Sequence, residues 1–129
     1  LAEVEGRALE DLVAQIYAER SRRGMGDFPL SEQVRGYWDR SDVEIDLVAV
    51  SEDERRIRFG TCKRSAQRLP RAVPALKAAA ERFLQAHPRY QAWRVEWVGI
   101  APDVPDEVRA ALAAHEVVSQ SLSDLVRGL

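Results

Sequence analysis

The chain has 129 residues, 46% of them hydrophobic and 31% charged, with a formal net charge of −2. That is one domain's worth: a chain of this size buries about two-thirds of its unfolded surface on folding, so a core forms without staples. No apolar run approaches the roughly 18 residues of a membrane span. The single cysteine, Cys62, excludes an intrachain disulfide and a cysteine-rich zinc cage.

Residues 3–20 repeat apolar positions at Leu9, Leu12, Val13, Ile16 and Tyr17, which predicts a helix with one buried face. It is expected to fray over Arg20–Gly26, with Gly24 and Gly26 as stops. A first strand is expected over Val34–Asp39, ending in the aromatics Tyr37 and Trp38. A second runs over Val43–Val50, and Ser51–Glu54 makes a turn. Arg56–Lys63 then alternates, with Ile57, Phe59, Thr61 and Lys63 on one face and Arg58, Gly60 and Cys62 on the other. These three strands form an antiparallel meander. A second helix is expected over Ala72–Ala86, entered near Pro70 or Pro74 and stopped by Pro88. Trp93–Ile100 is a fourth strand, and Asp106 caps a third helix running to Ala114. Val117–Val118 adds a short strand and Ser123–Leu129 a last helical turn. The order α-β-β-β-α-β, then α and β, predicts an α/β fold with a mixed sheet and helices on both faces. The first helix is expected on the face that carries Val48, Val50, Ile57 and Phe59.

Charge is unevenly spread along this order. Residues 39–54 hold Asp39, Asp42, Glu44, Asp46, Glu52, Asp53 and Glu54 against Arg40, a net −6. Residues 55–71 hold Arg55, Arg56, Arg58, Lys63, Arg64, Arg68 and Arg71 with no acid, a net +7. The turn pairs Val50 with Ile57, and stepping back along an antiparallel ladder pairs Val48 with Phe59, Asp46 with Thr61 and Glu44 with Lys63. Two carboxylates, a hydroxyl and an ammonium then converge at one end of a half-buried sheet face. Burying charge there is costly unless it is paired or used; a plain Glu44–Lys63 salt bridge is the alternative. Beyond the strand, Lys63, Arg64, Ser65, Arg68 and Arg71 form a basic run able to meet a phosphate backbone without sequence preference. Pairing of these arginines with the acidic stretch is the alternative there. Cys62 reads as a buried apolar residue, His87 and His115 as helix-end residues, and Trp93 and Trp97 as core. No Gly-x4-Gly-Lys-Ser/Thr loop exists, so these residues do not themselves make a P-loop ATPase.

Glu44-Ile45-Asp46-Leu47-Val48, a turn, and Phe59-Gly60-Thr61-Cys62-Lys63 resemble the PD-(D/E)xK restriction-endonuclease-like superfamily, with its Asp on the second strand and acid-x-Lys on the third. More closely, the chain resembles the C-terminal domain of archaeal-type AAA+ ATPases. Gly6-Arg7-Ala8-Leu9-Glu10, the pair Tyr37-Trp38, the strand Glu44–Ala49 and Gly60-Thr61-Cys62-Lys63 carry that likeness over residues 6–100. The resemblance implies a restriction-endonuclease-like core and a C-terminal domain cut from a longer chain, consistent with a start at Leu1 and no leader, and the composition with its single cysteine reads as cytoplasmic. It implies an ATPase domain in the same full-length chain and DNA as partners, no membrane, and leaves a homo-oligomer open. It further implies Asp46 and Glu10 as Mg²⁺ ligands and Lys63 as the residue that positions water, with Glu44 a stand-in for the missing acid. The chain departs from the pattern at Thr61, where the nuclease motif has an acid. A degenerate, non-cutting domain for nucleic-acid binding or regulatory contacts is the expected function. An active Mg²⁺-dependent DNA endonuclease and a structural or dimerisation module are the alternatives.

Overall fold

The computed structural model describes residues 2–26, 28–34, 37–38 and 44–129, with the backbone alone for 2–8, 32–34, 37–38 and 44. Helix α1 spans Ala2–Arg22, and its Leu9, Val13, Ile16 and Tyr17 are buried as the periodicity requires. Leu12, expected on that face, is 43% exposed. The helix ends where Gly24 and Gly26 adopt positive φ, a conformation that costs glycine little.

Strand β1 (Glu32–Val34) pairs antiparallel with β4 (Leu47–Ser51), and β4 pairs antiparallel with β5 (Arg56–Cys62). The short strands β2 (Tyr37–Trp38) and β3 (Glu44–Ile45) form a separate two-stranded ribbon. The expected strand Val34–Asp39 is therefore split between β1 and β2, and Asp39 lies outside the described residues. Helix α2 (Leu69–Ala86) then crosses over to β6 (Arg94–Ala101), which lies parallel to β5. Helix α3 (Asp106–Ala113) leads to β7 (Val117–Ser121), parallel to β6, and α4 (Leu122–Val126) follows. Among the described residues the main sheet has the order β1-β4-β5-β6-β7, mixed in sense, with helices on both faces. This is the expected α/β architecture, with the ribbon of β2 and β3 added to the expected order of elements.

The register Val48↔Phe59 and Val50↔Ile57 is as expected. It breaks at Asp46, which leaves the ladder. The Asp46 N–H donates to the Gly60 carbonyl at 3.2 Å, and Leu47 also pairs with Gly60. Two residues on one strand thus oppose one on the other, as in a β-bulge. The bulge absorbs one residue of the alternation. Ile45 packs with Val48 and Val50 against α2, whereas Leu47 packs against α1. The expected common face of Asp46, Val48 and Val50 is thereby corrected.

The helix assignment is corrected too. Helix α1 covers Leu47, Ala49, Cys62, Val98 and Ile100, and α2 covers Val48, Val50, Ile57 and Phe59 through Leu76, Ala79, Ala80 and Phe83. All five residues of β4 are buried, so alternation separates its two faces without saying which helix lies on which. Beneath α1 the fit is close: a Cβ on Gly60 would sit 3.0 Å from Val98 Cγ1 and 3.1 Å from Leu47 Cβ. A third cluster, around Leu69, Val73, Val108 and Leu112, joins α2 to α3 and β7.

Candidate functional site

The bulge at Asp46 places its carboxylate over the end of β5. Asp46 Oδ2 accepts the Cys62 backbone N–H at 2.7 Å and lies 3.4 Å from Thr61 Oγ1. The expected meeting of Asp46 with Thr61 therefore occurs, but around a bulge rather than along a regular ladder. Cys62 is buried. Burial pushes its thiol well above the usual value, the negative charges of Asp46 and Glu10 push it further, and Lys63 pulls it partly back. Asp46, Glu10 and Lys63 therefore lie within electrostatic reach of one sulfur. The thiol itself stays protonated and is a packing residue, as expected. The Glu44 backbone pairs with Trp38, while its side chain, and with it the Glu44–Lys63 pair, lies outside the described residues.

These groups do not fit a divalent ion of the nuclease kind. Mg²⁺ takes hard oxygen ligands, usually with carboxylate charge. Here one Asp46 oxygen is committed to a backbone N–H, the position two before Lys63 offers a neutral hydroxyl, and the neighbouring thiol is protonated. Among the described residues no group of three or more His, Cys, Asp or Glu side chains could hold a metal.

Beyond Cys62 the chain leaves the sheet. The Lys63 N–H donates to the Ile100 carbonyl, and Lys63 is half-buried. A short 3₁₀ turn over Ala66–Arg68 carries the chain into α2, with Ala66 and Leu69 anchored in the core. Anchoring those two leaves Arg64, Ser65, Arg68 and Arg71 exposed around the start of α2. The expected basic residues thus follow the Asp46 corner along the chain, from the end of β5 through the 3₁₀ turn to the first turn of α2. No acidic residue stands in the first turn of α2. The positive end of the helix dipole adds to this basic run.

Sequence reasoning missed a second charged cluster, at the opposite end of β5. Arg58 is almost fully buried, and its Nε and Nη2 donate to Glu96 Oε1 at 3.2 and 2.8 Å. Arg56 donates to both Glu96 oxygens at 2.8 and 3.0 Å. Phe28 lies against both guanidiniums, 4.7 Å from that of Arg56 and 4.9 Å from that of Arg58. Arg58 also reaches the Tyr17 hydroxyl, which in turn donates to Gln120. The available signal was Arg58 alternating onto the inward face that carries Gly60 and Cys62. The residues declined as sites behave as expected. His87 Nδ1 lies 2.9 Å from the Phe83 carbonyl at the end of α2, and Trp97 stacks on Phe59 in the core.

Fold and cluster together define a mixed-sheet α/β domain with an acid–lysine corner and an adjoining basic ridge. More narrowly, the chain belongs to the DUF234 family, archaeal and bacterial proteins of unknown function, whose match covers residues 1–73. That span runs from α1 into α2 and includes Glu10, Asp46, Lys63 and the whole ridge to Arg71. No curated protein matches the chain. No helix among the described residues is long and apolar enough to cross a membrane.

Proposed function

We propose that the chain is a degenerate nuclease-like domain that holds nucleic acid by its phosphate backbone without cutting it, on behalf of an ATPase domain in the same full-length cytoplasmic protein. One observation carries the reading. The Asp46 carboxylate is used as a strap across the bulge, on the Cys62 N–H, while beyond the half-buried Lys63 the residues Arg64, Arg68 and Arg71 are exposed, without an acid in the first turn of α2. Chemistry has lost its charge at Thr61, and electrostatics for a polyanion has been kept. Such contacts position a duplex and carry no sequence information. The test is fluorescence anisotropy with labelled DNA. Lys63→Ala and the pair Arg64→Ala/Arg68→Ala each weaken binding, and wild-type affinity in both removes the ridge from the site.

A second reading has one observation in its favour: the charges of Glu10, Asp46 and Lys63, the residues a Mg²⁺-dependent DNA endonuclease of this kind would use, all act on the Cys62 thiol. Calorimetry with Mn²⁺ separates the two. Binding by the wild type that Asp46→Ala abolishes supports the endonuclease.

A further inference from the structure

The outer face of α2 extends the basic ridge. Arg71, Ala75, Ala78 and Arg82 stand at i, i+4, i+7 and i+11, so they form one stripe along the helix, and all four are exposed. Val73, Leu76, Ala80 and Phe83 occupy the opposite, buried side. The stripe begins at the ridge of Lys63, Arg64 and Arg68, and its flank carries one acid, Glu81. A rise of 1.5 Å per residue puts the Cα atoms of Arg71 and Arg82 about 16 Å apart. Between them Ala75 and Ala78 keep the helix surface low.

We infer that this face of α2 is the docking surface for double-helical DNA, with α2 seated at the major groove and Arg71 and Arg82 reaching the phosphates on its two walls. The inference rests on the backbone-binding reading above and adds the surface and the form of nucleic acid. Charge complementarity selects a polyanion. Laid across a major groove about 12 Å wide, the helix sets two arginines about 16 Å apart over its two walls. The A-form groove of double-stranded RNA is too deep and narrow for that approach. Single strands are held largely by stacking on aromatic side chains, and the stripe has none.

The test uses the 129-residue chain, a labelled 20-base-pair DNA duplex and one of its strands. Ala75→Glu/Ala78→Glu sets two negative charges where the groove would sit, at exposed positions that glutamate suits as a helix former. The wild type is expected to bind the duplex at least tenfold more tightly than the single strand, and the double variant to lose at least tenfold of that affinity with an unchanged melting temperature. Arg82→Ala is the second variant. Its duplex affinity falls, and its dependence on log salt becomes shallower by about 0.9, one phosphate contact. Duplex binding at wild-type level in both variants, with Arg64→Ala/Arg68→Ala impaired, overturns the α2 surface and leaves the ridge in place. Equal affinity for duplex and single strand overturns the choice of DNA form. Wild-type binding in all three variants overturns the ridge together with the surface.

Discussion

Removing Glu96 isolates the largest charged investment in the sheet. The Arg58 side chain is 2% exposed and Glu96 15%. Glu96→Ala therefore leaves a buried guanidinium whose principal carboxylate is gone, while Arg56 keeps Glu54. Breaking a buried pair from one side costs about 3–5 kcal/mol. The lower end applies here, because Glu96 touches solvent and the Tyr17 hydroxyl still accepts from Arg58. An unfolding entropy of about 2.1 cal/mol/K per residue converts a loss of about 3 kcal/mol into a fall of about 11 °C in Tm for a chain of this length. Thermal and urea unfolding followed by circular dichroism read both quantities. Replacing Arg58 and Glu96 together by methionine is expected to recover most of the loss, since apolar packing commonly substitutes for a buried pair. A fall below about 4 °C in Glu96→Ala, the scale of a solvent-exposed ion pair, refutes the buried-network account.

Acid sensitivity follows from the same geometry. Burial pushes the Glu96 carboxyl up, but hydrogen bonds from Arg56 and Arg58, with their charges, outweigh it and hold the group below its usual 4.5. The Ser121 N–H, aided by Arg109, holds Asp124 below its usual 3.8. Both groups are depressed in the folded state, so their stabilisation is complete above those ordinary values and is lost as pH falls through the lower folded ones. Glu96→Gln/Asp124→Asn is expected to show a shallower decline of Tm below pH 4.5 than the wild type, and parallel curves contradict the assignment. Ser121 and Asp124 form a reciprocal cap at the start of α4. Ser121→Ala is expected to cost about 1 kcal/mol in urea unfolding. Thr61→Glu sets an acid beside Asp46, and a Mn²⁺ site is expected to appear by calorimetry and to vanish in Asp46→Ala/Thr61→Glu. No binding in Thr61→Glu contradicts the placement of Thr61 and Asp46 at one corner.

The element order and the β4–β5 register were legible because apolar alternation and a four-residue turn leave few ways to pair Val48 and Val50 with Phe59 and Ile57. The resemblance singled out Glu10, Asp46 and Lys63, and in the structure the charges of all three act on the Cys62 thiol. What alternation could not show was the bulge. A single extra residue at Asp46 sends Ile45 and Leu47 to opposite faces, and nothing in a run of apolar residues marks where it is inserted. The choice of helix for each face was hidden for a related reason, since β4 is buried on both sides. In the sequence Arg58 counts only as one member of the basic stretch 55–71, because its carboxylate, Glu96, arrives from a strand 38 residues away. Arg82 was passed over because the basic run in the sequence stops at Arg71, and only the helical repeat brings it back into line.

The basic residues beside Asp46 are proposed to hold a phosphate backbone. The most direct measurement is the affinity of the wild-type chain for a labelled DNA duplex across a salt series. Four ridge cations predict a slope of log affinity on log salt near −3.6, and five, with Arg82, near −4.5. Binding absent at low salt, or present with a flat salt dependence, contradicts it.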